Sequence, residues 1–297
     1  MKCLINVEGG MGKNVMLTSI LPLLKEKYDE IYVISPYHDV FKACSYVTDA
    51  FQPGQGSLYQ ELVLDEDCDI LWKEPYSNQR FIKKQCHLFE AWLEEFGIKY
   101  DGDVTELVPN LDRIEQEYPL VKKVVEQTLE QIGDKFIFVQ FCGSHSPLTP
   151  LKDPTTGQDI VYNEREEAIK RNYFQGQEII NKLKEEYPEY KIIHYALPNE
   201  QSFEGTEKLT LPYLAYHLLA EYAFKVICID SSLQHLATGV CKNVTVIWGE
   251  TRPEHFGYKC NKNVCAKDVK NLQPYFKPLG ISPSLVKMPS PEEVLNG

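Results

Sequence analysis

The sequence predicts two Rossmann-like α/β domains in tandem, each a mostly parallel sheet with helices on its faces. Three observations carry this expectation. The chain opens on a strand–turn–helix–strand unit between Cys3 and Ser35. A second α/β series starts at Phe136 with a strand too apolar for anything but the centre of a sheet. At 297 residues, the chain is long enough for two cores.

Taken in order, Cys3 to Val7 is a short β run, followed by the glycine-rich turn Glu8-Gly9-Gly10-Met11-Gly12. Val15 to Lys27 carries apolar residues at helical spacing, and Ile31 to Ile34 is the next strand, ended by Ser35-Pro36. Asn78 to Phe96 reads as one long amphipathic helix with Gly97 just past its end. A charged helical stretch from Asn110 to Gly133, interrupted at Tyr118-Pro119, closes the first domain, so the expected domains are 1–132 and 133–297.

The second domain begins with strand Phe136–Phe141. The polar, proline-bearing run Ser144–Asn163 follows, too long for an idle loop. Then come helix Glu164–Tyr187, strand Lys191–Ala196 and a helix over Leu211–Tyr222 with Thr210 as its N-cap. Strand Lys225–Ile229, helix Leu233–Val240 and strand Val244–Trp248 continue the alternation, and Ser290 to Leu295 starts a short capped helix.

Bulk properties exclude several classes. No apolar run approaches the ~20 residues needed to span a bilayer. The first strand begins at once, leaving no room for a secretory signal. Nine scattered cysteines do not form a disulfide framework, which points to a reducing cytoplasm. A net charge of −12 disfavours broad attraction to nucleic-acid backbones or anionic lipid, without excluding a local basic pocket.

The strongest motif is Ile229-Asp230-Ser231-Ser232-Leu233-Gln234-His235-Leu236-Ala237, at a strand-to-helix junction. Ligands of open α/β sheets bind at the carboxyl ends of strands, where a helix N-terminus offers free N–H groups to phosphate. Ser231 and Ser232 add hydroxyls there, and His235 lies one turn in. The plainer alternative is a capping role for Asp230 or Ser231 and a core role for His235.

The run from Leu209 to Tyr258 resembles the donor-binding half of glycosyltransferase family 9, the heptosyltransferases. Leu211-Pro212, the strand ending in Asp230-Ser231-Ser232, His235-Leu236-Ala237, and Gly249-Glu250-Thr251-Arg252-Pro253 carry the likeness. Ser232 departs from it, since the family usually has glycine there. Gly12-Lys13-Asn14-Val15-Met16-Leu17-Thr18 is similar to the family's first helix, and His87 to Ile98 to a later one. A weaker likeness covers Phe136 to Ser144 and Lys170-Arg171-Asn172-Tyr173-Phe174.

That resemblance implies the GT-B architecture, two Rossmann-like domains facing across a cleft, with the acceptor on the N-terminal side. It implies transfer of a sugar, heptose among the candidates, from a nucleotide-diphosphate donor to a hydroxyl of a glycan or other acceptor. A nucleic-acid acceptor is not excluded. No cofactor or metal is implied. Asp230, Ser231, Ser232, His235, Arg171, Gly12 and Thr251 are the implied donor-binding residues, Arg171 as a bidentate phosphate partner. The resemblance also implies that the final helix packs back toward the N-terminal domain. The family's proposed base is an Asp directly after the glycine, and Lys13 stands there instead. Glu8 is then the nearest carboxylate to act as base, with Lys13 pairing with it or binding phosphate, and Asp39 is a further candidate.

Two other patterns compete. Glu8-Gly9-Gly10-Met11-Gly12-Lys13-Asn14 is similar to the deviant phosphate loop of ParA/MinD-type ATPases. Asn14 is a poor magnesium ligand where a Ser or Thr is needed, however, and Glu8 replaces the signature lysine. His255, Cys260 and Cys265 could form part of a zinc site but lack an evident fourth ligand, so free thiols are expected. A catalytically inactive sugar-nucleotide-binding protein is the remaining alternative.

Overall fold

The computed structural model describes residues 1–54, 57–143, 151–152, 159–160, 172–196, 203–249, 251–266 and 288–296. The described residues divide into two compact units, Met1–Gln127 with Glu254–Lys259, and Thr128–Pro253 with the residues from Cys260 onward.

In the first unit the elements run β1 (Lys2–Asn6), α1 (Met11–Thr18), α2 (Leu21–Lys25), β2 (Glu30–Ile34), α3 (His38–Lys42), β3 (Asp49–Phe51), α4 (Ser57–Leu64) and β4 (Cys68–Leu71). After them come α5 (Gln79–Ile82), α6 (Leu88–Phe96), α7 (Ile114–Glu117) and α8 (Pro119–Ile132), the last running on into the second unit's residues. All strand pairings in this sheet are parallel, in the order β3-β2-β1-β4. The chain builds β2 and β3 on one side of β1, then returns to add β4 on the other. Strand order therefore reverses between β1 and β4.

Two expected long helices are broken in two. The first divides into α1 and α2 because Pro22, the second residue of α2, has no N–H to continue the ladder. Thr18 Oγ1 donates instead to the Val15 carbonyl (2.7 Å) and accepts the Asn110 N–H (3.1 Å). The second divides into α5 and α6, with Lys84 left-handed between them (φ 58°). His87 restarts the helix. Its Nδ1 accepts the Phe89 N–H (3.2 Å), while Glu90 accepts the His87 N–H (2.7 Å), a reciprocal cap built on histidine rather than serine. Gly97 ends α6 in the expected left-handed conformation (φ 68°).

The second unit contains β5 (Phe136–Gln140), an antiparallel pair β6 (Leu151–Lys152) and β7 (Asp159–Ile160), α9 (Gly176–Glu186), β8 (Lys191–Tyr195) and β9 (Glu207–Leu209). It continues with α10 (Tyr213–Tyr222), β10 (Lys225–Ile229), α11 (Ser232–Ala237), β11 (Val244–Trp248), α12 (Pro253–Phe256), β12 (Lys262–Cys265) and α13 (Pro291–Asn296); most of α12 groups with the first unit. Its six-stranded sheet has the order β12-β11-β10-β5-β8-β9, parallel throughout. Ile137, Val139 and Phe141 pack with Ile227 and Ile229 and with Ile179, Ile180 and Leu183 of α9. Each such side chain contributes roughly 1.5–3 kcal/mol on burial, which explains why these apolar runs dictate the central strands.

Two expectations change here. Thr210 does not cap α10: Pro212 holds that position, and the Thr210 hydroxyl donates to the Ala196 carbonyl (3.3 Å). The expected helix 164–187 is described only as α9, its first part lying outside the described residues. The final helix packs on the core of its own unit, the second. Val294 joins the second core, the Tyr173 hydroxyl donates to the Pro289 carbonyl (2.9 Å), and Lys182 pairs with Glu292. Among the described residues, no helix is long and apolar enough to cross a membrane.

Candidate functional site

In the second sheet the chain runs from β5 outward to β8 and β9, then crosses back to lay β10 on the other side of β5. The strand order reverses between β5 and β10, and such a switch point opens a crevice at the carboxyl ends of the strands. Cys142-Gly143 leave β5 there, Asp230-Ser231 leave β10, and Gly249 leaves β11.

Ser231 is extended (φ −153°, ψ 179°) at the N-cap of α11, yet its side chain does not cap the helix. Its hydroxyl donates across the switch point to Gln140 Oε1. Asp230 Oδ2 accepts from the buried Thr251 hydroxyl at 2.5 Å. The Gly143 N–H donates to Asn172 Oδ1 (2.9 Å) on the same edge. The Ser231 side chain thus does not cap α11, and both Asp230 and Ser231 bind neighbouring strand ends. Ser232 is half-buried in the first turn of α11, and His235 is buried one turn further in. Beside it, burial pushes His217 down to about 4, and the His217 Nδ1–H donates to the Leu236 carbonyl (2.7 Å).

The structure therefore brings Asp230, Ser231, Ser232 and Thr251 to one carboxyl edge of the sheet, with His235 one turn into α11. Arg171 and Glu250 lie outside the described residues. Sequence reasoning missed Gln140, buried at the end of an otherwise apolar strand, and Asn172. A lone amide closing a five-residue apolar strand was the available signal for Gln140.

The first sheet has its own switch point, between β1 and β4. Gly9 turns the chain there with φ 99°, and α1 begins two residues later, with Gly12 in its first turn. Lys13 does not pair with Glu8. Its ammonium meets Glu74 Oε2 at 2.6 Å and lies 5.1 Å from the Tyr76 ring centroid. Glu74 Oε1 accepts the Tyr76 N–H (3.1 Å). The Lys13 side chain is 4% exposed and that of Glu74 42%. Glu8 is exposed and makes no hydrogen bond or ion pair among the described residues. Asp39 is engaged by the Tyr118 hydroxyl (2.7 Å) and by His38. Asn14 is fully buried: its Nδ2 donates to the Gly10 carbonyl (2.9 Å), and its Oδ1 accepts from Ser35 (2.6 Å). An amide so enclosed does not face a magnesium ion, which removes the phosphate-loop geometry.

His255 is likewise committed, its Nδ1–H donating to the Cys86 carbonyl (3.0 Å), and Cys260 contacts Asn261 (3.7 Å). All nine cysteines are free thiols. Among the described residues, no group of three His, Cys, Asp or Glu side chains could hold a metal ion.

No family model and no curated protein matches the sequence. Solved structures do match in fold. A glycosyl transferase family 9 protein of Veillonella parvula superposes with TM-score 0.61 at 10% identity, over 89% of this chain and 84% of that one. The iron-containing dodecameric glycosyltransferase TibC of enterotoxigenic E. coli gives 0.57 at 13% identity, over 93% and 68%. The E. coli heptosyltransferase WaaC, solved with ADP-2-deoxy-2-fluoro heptose, gives 0.51 at 12% identity, over 92% and 96%. The chain has the two-sheet α/β fold of these GT-B glycosyltransferases.

Proposed function

We propose that this chain is a glycosyltransferase that moves a sugar from a nucleoside-diphosphate donor to an acceptor hydroxyl. One observation carries the reading. In a fold shared with family 9 glycosyltransferases, Asp230, Ser231, Thr251 and Gln140 converge at the switch point of the second sheet. There the α11 N–H groups, the Ser231 and Ser232 hydroxyls, His235 and Arg171 bind the donor diphosphate and take up the charge that develops on it as it leaves. Those groups make a metal unnecessary, and the nucleotide sugar is a substrate rather than a cofactor. Gly12, Lys13 and Glu8 belong to the other sheet's carboxyl edge, where a carboxylate accepts the acceptor's proton. Heptose leads the sugars because WaaC was solved with an ADP-heptose analogue. The acceptor is a glycan or another hydroxyl-bearing molecule; the charge of −12 weighs against nucleic acid. The free thiols suit the cytoplasm.

The test is a thermal-shift screen of the purified chain over ADP-, UDP- and GDP-sugars, followed by measurement of diphosphate release. One nucleotide series should stabilise the protein and be consumed. Binding without turnover would leave a sugar-nucleotide-binding protein, and magnesium-dependent ATP hydrolysis without sugar-nucleotide binding would replace the reading with an ATPase.

A further inference from the structure

Lys13 occupies the position where the resemblance places a catalytic carboxylate, and it is almost wholly buried. Removing an ammonium from water is costly unless a partner and hydrogen bonds compensate. Its partner is Glu74, three residues beyond the end of β4, at 2.6 Å. Gly9 makes the approach possible: a Cβ there would lie 3.2 Å from Lys13 Cδ. The carboxylate is held at both oxygens, by Lys13 at Oε2 and by the Tyr76 N–H at Oε1. A carboxylate has about four lone-pair positions, so two fixed contacts leave acceptor capacity. That capacity faces solvent, since the Glu74 side chain is 42% exposed. Trp72, two residues earlier on the same loop, is a 65% exposed aromatic residue, the kind of side chain on which a sugar stacks. All of this sits at the switch point between β1 and β4, where this sheet's ligand crevice is expected.

We propose that Glu74, not Glu8, is the general base of this chain, and that Lys13 is its positioning residue. The cation comes from the helix after β1 and the carboxylate from the loop after β4. The inference rests on the glycosyl-transfer reading above. In the step, Glu74 takes the proton of a sugar hydroxyl as the acceptor oxygen bonds to the donor's anomeric carbon. The bond from that carbon to the phosphate oxygen breaks, and its electron pair leaves with the nucleoside diphosphate. The proton then passes from the exposed carboxyl to water.

The experiment uses the full chain and whichever nucleotide sugar stabilises it in the screen, with water or added sugars as acceptors and diphosphate release as the readout. E74Q should lower the rate ~10²-fold or more, with donor affinity within about twofold of wild type showing that the fold persists, and with a lowered melting temperature because the buried Lys13 loses its charged partner. E74D should recover part of the rate. The double variant K13M/E74Q should be no slower than E74Q alone, because Lys13 acts through the carboxylate. Release by E74Q within a few-fold of wild type overturns the assignment, as does loss of activity in E8Q with E74Q unaffected. A wild-type chain that binds a nucleotide sugar but releases no diphosphate overturns the glycosyl-transfer reading, as above, rather than the choice between Glu74 and Glu8. Failure of the whole panel to bind would likewise remove the glycosyl-transfer reading, and this role with it.

Discussion

Asn14 shows how single side chains set the carboxyl edge of the first sheet. Its amide holds the Gly10 carbonyl, its oxygen accepts from Ser35, and Ser35 Oγ in turn accepts the Tyr37 N–H (2.9 Å). The turn after β1 and the loop after β2 are therefore fastened through one buried residue. Removing it takes the buried Ser35 hydroxyl's acceptor and the Gly10 carbonyl's side-chain donor, leaving only the Tyr37 and Asn14 backbone N–H groups on them, at about 1–3 kcal/mol. N14A should lower unfolding free energy by that amount in a denaturant titration. A loss under ~0.5 kcal/mol would show that the two loops stand without it. The same scale explains why Glu74 escaped sequence reasoning. A glutamate in an exposed run reads as solvated, and only the fold brings it to a lysine 61 positions earlier.

At the scale of elements, legibility followed composition. β1, β5, β10 and β11 were readable because they are short, nearly all-apolar runs that only the middle of a parallel sheet can bury. β4, Cys68-Asp69-Ile70-Leu71, is an edge strand with Asp69 and Ile70 exposed, so it lacks that signature. Missing β4 meant missing the first sheet's switch point and Glu74 with it. The helix breaks at Pro22 and His87 were hidden for different reasons. The apolar spacing continues through Pro22, and a histidine cap does not resemble the usual serine or threonine one. By contrast, the Asp230-Ser231 junction was legible, because a strand running straight into a helix marks the ligand edge by itself. Gly176, the first residue of α9, makes an element-scale prediction. A Cβ there would come 2.6 Å from Phe141 Cδ2 and 3.1 Å from Phe203 Cε1. Alanine gains at most ~1 kcal/mol in helix propensity, less at a helix start, whereas overpacking costs about 1–3 kcal/mol. G176A should therefore lower the melting temperature; a rise would mean that the aromatic pair yields freely.

Across the whole molecule, buried histidines link stability to pH. Burial pushes His87 in the first unit, and His194 and His217 in the second, down to about 4. The His87 Nε2–H donates to the Gly257 carbonyl (3.0 Å), which helps hold Glu254–Lys259 on the first unit, and both His194 ring nitrogens lack hydrogen-bond partners among the described residues. Because these folded values lie below the unfolded value of ~6.5, the unfolded chain binds more protons between the two. Their contribution is complete above ~6.5 and is lost as pH falls toward about 4, on the order of 1–3 kcal/mol per histidine. Melting temperature should fall steeply across that window. H194F, which removes the unpartnered ring, should flatten the fall without loss at pH 7, and an unchanged slope would show that His194 is not a contributor.

The proposed donor chemistry depends on a nucleoside diphosphate binding at the switch point between β5 and β10. Calorimetric titration of wild type, S231A and H235A with the nucleoside diphosphate that gives the largest thermal shift tests it most directly. The account predicts affinity about tenfold or more weaker in both variants, at one charge-assisted contact or less each, with the fold intact by circular dichroism. Unchanged affinity in both would contradict it and move the donor site elsewhere.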